Sequence, residues 1–502
     1  MDSYDAYKPL RNMLRQYNLR ASLEDVWSYS QMLAGHASPS KVWHKGKIIP
    51  ITEFLYPWDM PTIERELVLN ANYKGTKRLN TFEQLSPVII ALREFGNTIA
   101  KRQGAEAAWW SLHPITHQQL PWQRQHELNS LMRYYKIFSV PEVEKLLVRE
   151  TGIKTKDWFF MGFAAAGNML RDAGINSAQD YRPFGIDQPN SRALFSKIST
   201  TFEDLKVRTI AEQRYDATWE FTWNPLTGTP LVSLDPAQPA QLHCPIPAFL
   251  LRRVSQGLYY EIANAYGFAN PFGDSYQAYV GELLDATFPK PGFAITAENM
   301  YEDSRQLKHG VDWIVSDDQA NLFIECKAKR MTQSAKATID QDVINAQIDF
   351  LAKAVVQTYK NLRDALANKT HWEPNGLPVY LLVLTLENWY VFGPSVSLLQ
   401  KSVEERMQRE NLDLAWLTSM PYTVASCSDF ETSSPTIAAV GIKKFFGKKF
   451  EDDSKNLMLI DFASQNFNTQ YRQTARRQLF VEDWATIFPA HVLTFETKDI
   501  QQ

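Results

Sequence analysis

Cysteine is scarce in this chain. Only Cys244, Cys326 and Cys427 occur among 502 residues, and three thiols so far apart make neither a disulfide framework nor a metal-binding knot. That scarcity fits a reducing compartment, and a cytoplasmic location is expected. Long apolar runs are missing too. No stretch approaches about 18 uncharged apolar residues, and Met1-Asp2-Ser3-Tyr4-Asp5 opens acidic, without a basic run leading into an apolar one, so neither an export signal nor a membrane partner is expected. Charge of neither sign dominates: a net charge of −3 argues against coating nucleic acid wholesale and leaves room for one basic groove. There is no Gly-rich phosphate loop or helicase signature, so any ATPase activity is expected from a protein partner.

The rest of the composition is that of a globular protein. A hydrophobic fraction of 44% with 22% charged residues supports several domains around sizeable cores. Residues 1–245 read as a mainly helical region, divisible into two subdomains, that serves as a sensor or as a surface for a partner or nucleic acid. Residues 246–395 read as an α/β domain, and 396–502 as a small α+β extension. Helices are expected over 5–33, 82–100 and 121–135, and short strands or packed loops over 41–61. A helix, turn, helix is expected over 141–170, with Pro141 opening the first helix and Gly152 stopping it. Its second half, Trp158-Phe159-Phe160-Met161-Gly162-Phe163, is too apolar to read DNA and is expected in the core. Alternating aromatics over 205–232 predict strands. Near the end of the chain, 395–412 reads as helix, 457–462 as strand and 474–484 as helix.

The most informative stretch is Val311-Asp312-Trp313-Ile314-Val315 followed by Leu322-Phe323-Ile324-Glu325-Cys326-Lys327-Ala328-Lys329. Both halves alternate apolar and polar residues around the turn-forming types 316–321, which predicts a hairpin. With its turn centred on Asp318 and Gln319, Asp312 falls opposite Glu325, and Lys327 shares their face. Directly opposed residues in an antiparallel pair have Cβ atoms only about 4.5–5.5 Å apart, so like charges there need a cation between them. Oxygen ligands with open positions suit Mg²⁺ or Mn²⁺. Lys327 beside such a cation can orient or help activate a water and offset charge on a phosphoryl group. The competing reading is an edge-strand pair at a solvated rim, with Lys327 and Lys329 blunting the sheet edge; the apolar neighbours on both sides favour a central position. Around the hairpin, a helix is expected over 275–288, a strand over 292–297, a polar connection over 303–308, a long helix over 339–367 and a buried strand over 378–386.

The pattern Asp312, short gap, Glu325-Cys326-Lys327, within a helix, three strands, helix, strand order, resembles the PD-(D/E)xK or restriction-endonuclease-like nucleases. The resemblance covers about a quarter of the chain. It implies an αβββαβ core with a mixed sheet, metal held by Asp312, Glu325 and the Cys326 backbone carbonyl, and Lys327 as a catalytic residue. Many relatives add a glutamate from the preceding helix. Here Gln277 stands near the usual position and Glu282 is the nearest acid, so Glu282 is the expected third carboxylate, with Gln277 able to ligate only as a neutral amide. Gln357 and Tyr359 are similar in type, though not in spacing, to a glutamine and tyrosine of the following helix in relatives.

The expected activity is that of a Mg²⁺- or Mn²⁺-dependent DNA endonuclease, in restriction, antiviral defence or mobile-element processing by family analogy. The alternatives are a ribonuclease and a non-cleaving nucleic-acid-binding or assembly module. A homo-oligomer or a partner supplying recognition is compatible with either. Gln277, Lys329, Arg330 and Gln357 are candidate nucleic-acid contacts, and His309 a weaker one. The segment Lys443-Lys444-Phe445-Phe446-Gly447-Lys448-Lys449-Phe450 interleaves bases with aromatics, which suits either phosphates and bases or an amphipathic surface helix. Arg472, Arg476 and Arg477 face either a nucleic-acid backbone or solvent.

Overall fold

The computed structural model describes residues 3–101, 109–123, 128–303, 305–475 and 477–488. It is a mixed helix and sheet protein folded as two compact units, neither continuous in sequence. One comprises Met1–Gln125, Pro141–Phe268 and Asp483–Gln502; the other comprises His126–Val140 and Ala269–Glu482. This division differs from the expected boundaries at 245/246 and 395/396. The proline cluster near 245 does not make a linker, because Pro247 opens the helix Pro247–Val254, where its missing N–H costs nothing. Residues after 396 are not an appendage either, since Tyr422–Ser426 joins the central sheet of the second unit.

In the first unit, helices Ser3–Leu14, Leu19–Leu33, Asp59–Asn70 and Phe82–Ala100 enclose a core that includes Leu14, Leu23, Val26, Ile63, Leu67 and Val88. The helix expected over 5–33 is interrupted. Asn18 caps the second half by accepting from the Ala21 N–H, which favours a new start over continuation. A hairpin pairs Lys41–His44 with Lys47–Pro50. The aromatic stretch 205–232 does not form the expected strands: Thr201 caps a helix at Phe202–Glu212, Trp219 is buried in a 3-10 turn, and only Leu231–Ser233 pairs in a small sheet. Helices Pro141–Thr151 and Thr155–Asn168 flank Gly152, whose φ of +77° is a left-handed stop, and Trp158, Phe159 and Met161 lie fully in the core.

In the second unit, a five-stranded sheet has the order Tyr422–Ser426, Val379–Thr385, Asn321–Lys327, Trp313–Ser316, Ala294–Ala297. The last three strands run antiparallel to one another, and Val379–Thr385 runs parallel to the strands on both sides. Val379–Thr385 is buried along its whole length, as a strand covered on both faces must be. Helix Ala269–Thr287 covers the face of Trp313, which is why Gly281 carries no Cβ: one built there would lie 2.3 Å from the Trp313 ring. Helix Gln341–Leu366 packs on the other face, where Tyr359 meets Tyr422. The expected polar connection over 303–308 is instead a second hairpin, Met300–Asp303 with Gln306–His309, pinned to the end of that helix by the Tyr301 hydroxyl donating to Asp364 at 2.8 Å.

Two late expectations also change. Residues 457–462 contribute to the helix Leu459–Asn466, a short apolar run being ambiguous between strand and buried helix. Of residues 474–484, Thr474 ends helix Asn468–Thr474, Arg476 lies outside the described residues, and Val481–Asp483 is a 3-10 turn before Trp484–Ile487. Among the described residues, no helix is long and apolar enough to cross a membrane.

Candidate active site

The hairpin carrying the acids has the register Trp313↔Ile324, Ile314↔Phe323, Val315↔Leu322 and Ser316↔Asn321. One further step places Asp312 opposite Glu325, as the turn chemistry predicts. Asp317 makes that turn by accepting from the Gln319 and Ala320 N–H groups at 2.9 and 2.8 Å, so it is a turn residue and not a ligand. The approach to Asp312 is fixed from two sides. Asn361 donates to the Gly310 carbonyl at 3.0 Å, and the Glu298 N–H donates to the Asp312 carbonyl at 2.8 Å.

The carboxylates sit where water is scarce. Glu325 is 6% exposed; one of its oxygens, Oε1, accepts from Lys327 Nζ at 2.5 Å, while Oε2 is buried with no hydrogen-bond partner among the described residues. Asp312 accepts the Cys326 N–H at 2.5 Å. Burial and then the charge of Glu325 push the Asp312 pKa well up, against the opposing pull of that N–H and of Lys327. Burial likewise raises Glu325 even though Lys327 draws it down. For Lys327, burial acts to lower the pKa, but Glu325 and Asp312 outweigh it and the net direction is upward. The arrangement is a buried acid and a half-buried one with one lysine, short of positive charge.

A third acid, Glu298, belongs to the same row and was missed in the sequence. Ala297 pairs with Trp313, so the next step of that ladder sets Glu298 opposite Asp312, and Glu298, Asp312 and Glu325 follow one another across the ends of three strands. Its charge raises both other carboxylates. Its own oxygens are turned to His309 Nδ1 at 2.8 Å and to Gln277 Nε2, which donates at 3.1 Å. The signal was there in principle, an acid directly after a strand, but the register of Ala294–Ala297 could not be counted across the intervening hairpin.

The predicted residues divide sharply. Asp312, Glu325, Cys326 and Lys327 come together, and Gln277 and His309 border them through Glu298. Glu282 does not join: five positions beyond Gln277 is a rotation of roughly 140° about the helix, and its carboxylate pairs with Lys136 at 2.8 Å. Arg330 is buried against Glu387 and is spent on that ion pair. Lys329 is exposed and lies over the Phe350 ring at 4.3 Å. Gln357, also exposed, donates to Asn361, and the Tyr359 hydroxyl donates to the Met420 carbonyl, away from the acids.

The basic aromatic segment is the helix Ile442–Lys449. Phe445 and Phe446 are in the core, against Phe467 and Tyr380 respectively, so they offer no stacking surface to a base. Lys443, Lys444 and Lys448 are exposed. Lys449 is a correction: it is fully buried, donates to the Ser454 and Lys455 carbonyls, and burial pushes its pKa down to about 8. Arg472 and Arg477 are exposed, and Arg476 lies outside the described residues.

The donor set tests whether a metal fits. Among the described residues, no three His, Cys, Asp or Glu side chains are gathered to hold an ion by themselves, and Glu298 is turned to His309 and Gln277. Two carboxylates with an unsatisfied oxygen do suit Mg²⁺, which keeps several waters and takes one or two protein carboxylates plus substrate phosphate. The Lys327 carbonyl accepts from Leu386, so by strand alternation the Cys326 carbonyl turns the other way, toward Asp312. Compared with family models, with curated proteins and with solved structures, the chain gives no significant match, and its function is argued from this site alone.

Proposed function

We propose that the protein is a divalent-metal-dependent nuclease of the PD-(D/E)xK type that hydrolyses phosphodiester bonds in DNA. The observation that carries the reading is the pair of half-buried Asp312 and buried Glu325, opposed across the strand ends with Lys327 alongside and with Glu325 Oε2 unpartnered. Buried acids whose pKa values rise because charge is uncompensated belong at functional sites more often than in structural ion pairs. Further support comes from the order of elements, a helix, antiparallel strands, a helix and a parallel strand, around that pair.

Asp312 and Glu325, with the Cys326 carbonyl, would hold Mg²⁺ or Mn²⁺. When bound, the cation supplies polarisation of a phosphoryl oxygen and a more acidic water. Lys327, its Nζ donating to Glu325, acts as a fixed positive charge that orients the attacking water and offsets charge growing on the non-bridging oxygens. Glu298 holds the exposed His309 ring, which places that imidazole to contact a substrate phosphate. Strand Asn321–Lys327 supplies rigidity, because its inner residues are locked in the sheet on both edges.

The test is cleavage of supercoiled plasmid, linear duplex, single-stranded DNA and RNA with Mg²⁺, Mn²⁺ or EDTA, comparing wild type with Asp312→Ala and Lys327→Ala. Metal-dependent cutting that falls by roughly a thousand-fold or more in both variants is expected, the scale of losing a principal charge-stabilising group. Cutting of RNA alone would replace the DNA reading with a ribonuclease. No cutting of any polymer, with wild type and variants binding nucleic acid equally, would leave a non-cleaving binding module.

A further inference from the structure

The first unit carries an exposed hairpin that the hydrolytic site does not use. Strands Lys41–His44 and Lys47–Pro50 are joined by Lys45-Gly46, both at positive φ (+46° and +80°), the conformation of a tight two-residue hairpin turn. Asn or Gly fills the first of these positions at least cost, and here it is a lysine. One face of the hairpin is anchored. Val42 packs on the core, and the His44 ring lies 4.8 Å from Phe54. The other face is bare: Trp43 and Ile48, direct ladder partners, are 69% and 65% exposed, and Trp43 has no ring partner among the described residues.

Charge here is of one sign. Lys41 shares the face of Trp43, Lys45 sits in the turn and Lys47 lies opposite His44 at the edge of the anchored face; all three are exposed and in no ion pair among the described residues, and the sequence holds no Asp or Glu between Asp25 and Glu53. Beyond Phe54, the exposed Tyr56 stacks on Trp58 at 4.8 Å. Arg93 lies over Tyr56, though its charge is shared with Asp59. An exposed aromatic ring on a hairpin that carries three unpaired cations along its face, turn and edge matches a polymer that alternates phosphates with planar bases, and one Trp with one Ile is too small an apolar surface to seat a hairpin in a bilayer.

We propose that this hairpin is a nucleic-acid-binding element that stacks an unpaired base on Trp43 while Lys41, Lys45 and Lys47 meet the flanking phosphates. The choice of nucleic acid among polyanions rests on the reading of the Asp312 site as a phosphodiester hydrolase.

The test is binding of a labelled single-stranded oligonucleotide to the full chain in EDTA, followed by fluorescence anisotropy. Trp43→Ala is expected to weaken binding about five-fold or more, and Trp43→Phe to stay within about two-fold of wild type, the loss being that of one stacked base. Replacing Lys41, Lys45 and Lys47 together with Gln is expected to flatten the slope of log affinity against log salt by about 2. An abasic strand of equal length should not distinguish Trp43→Ala from wild type. The proposal is overturned if wild type binds no oligonucleotide, if Trp43→Ala binds like wild type, if it weakens the abasic strand equally, or if its defect appears only on anionic lipid vesicles. Equal melting temperatures check that the variants fold. Failure of the hydrolase reading is seen separately: Trp43-dependent binding in EDTA with no cleavage under Mg²⁺ would sink the hydrolase alone, and cleavage with Mg²⁺ should survive a null result for the hairpin.

Discussion

Glu387, mostly buried, and Glu325, buried, are carboxylates of the second unit close to the ends of adjacent parallel strands, yet their surroundings are opposite. Glu387 is clasped by Arg330 and by Lys336 at 2.9 Å, and although burial acts to raise its pKa, those cations pull it down to about 2. Glu325 has one lysine for itself and Asp312 together, and burial wins. The contrast separates structure from function. A buried charge that is fully compensated holds elements together, whereas one left short of compensation waits for a ligand.

The largest effect that would break this comparison concerns the compensated centre. Arg330→Ala leaves Glu387 buried with only Lys336, and urea unfolding is expected to show a loss of about 3–5 kcal/mol. A loss under 1 kcal/mol would mean that the pair is not structural. Next comes acid. The folded pKa of Glu387 lies below the ordinary carboxylate value, so its contribution is complete above about pH 4.5 and disappears as pH falls toward 2, amounting to roughly 3 kcal/mol. Unfolding curves across that window should be steeper for wild type than for Glu387→Gln; parallel curves would remove Glu387 as the cause. The smallest effect sharpens the other side. Asp312→Asn relieves like-charge repulsion and keeps an acceptor for the Cys326 N–H, so the protein in EDTA should be unchanged or up to about 1 kcal/mol more stable. A loss of several kcal/mol would show Asp312 to be structural.

The site was legible in part, for reasons that can be named. Asp312, Glu325 and Lys327 were found because a period of two and a short turn fix the register of one hairpin locally. Glu298 was not, because its strand pairs across an intervening hairpin and no local rule counts that register. Glu282 is the acid nearest Gln277 in sequence, but a helix turns an acid five places on toward another neighbour, here Lys136. The segment 443–450 shows the same limit on a helix. Its residue types fit both nucleic acid and an amphipathic face, and packing assigned Phe445, Phe446 and Lys449 to the interior.

By itself, the sequence determined the local grammar of this protein: the Gly152 stop, the Asp317 turn, the almost uniformly apolar strand Val379–Thr385 and the opposed acids of one hairpin all follow from backbone sterics and side-chain period. Only the tertiary structure decided which charges are compensated. Arg330 met Glu387, Glu298 lined up with Asp312, and Tyr422–Ser426 joined the sheet because partners distant in sequence compete for the same buried space, and that competition is settled by packing the whole unit at once.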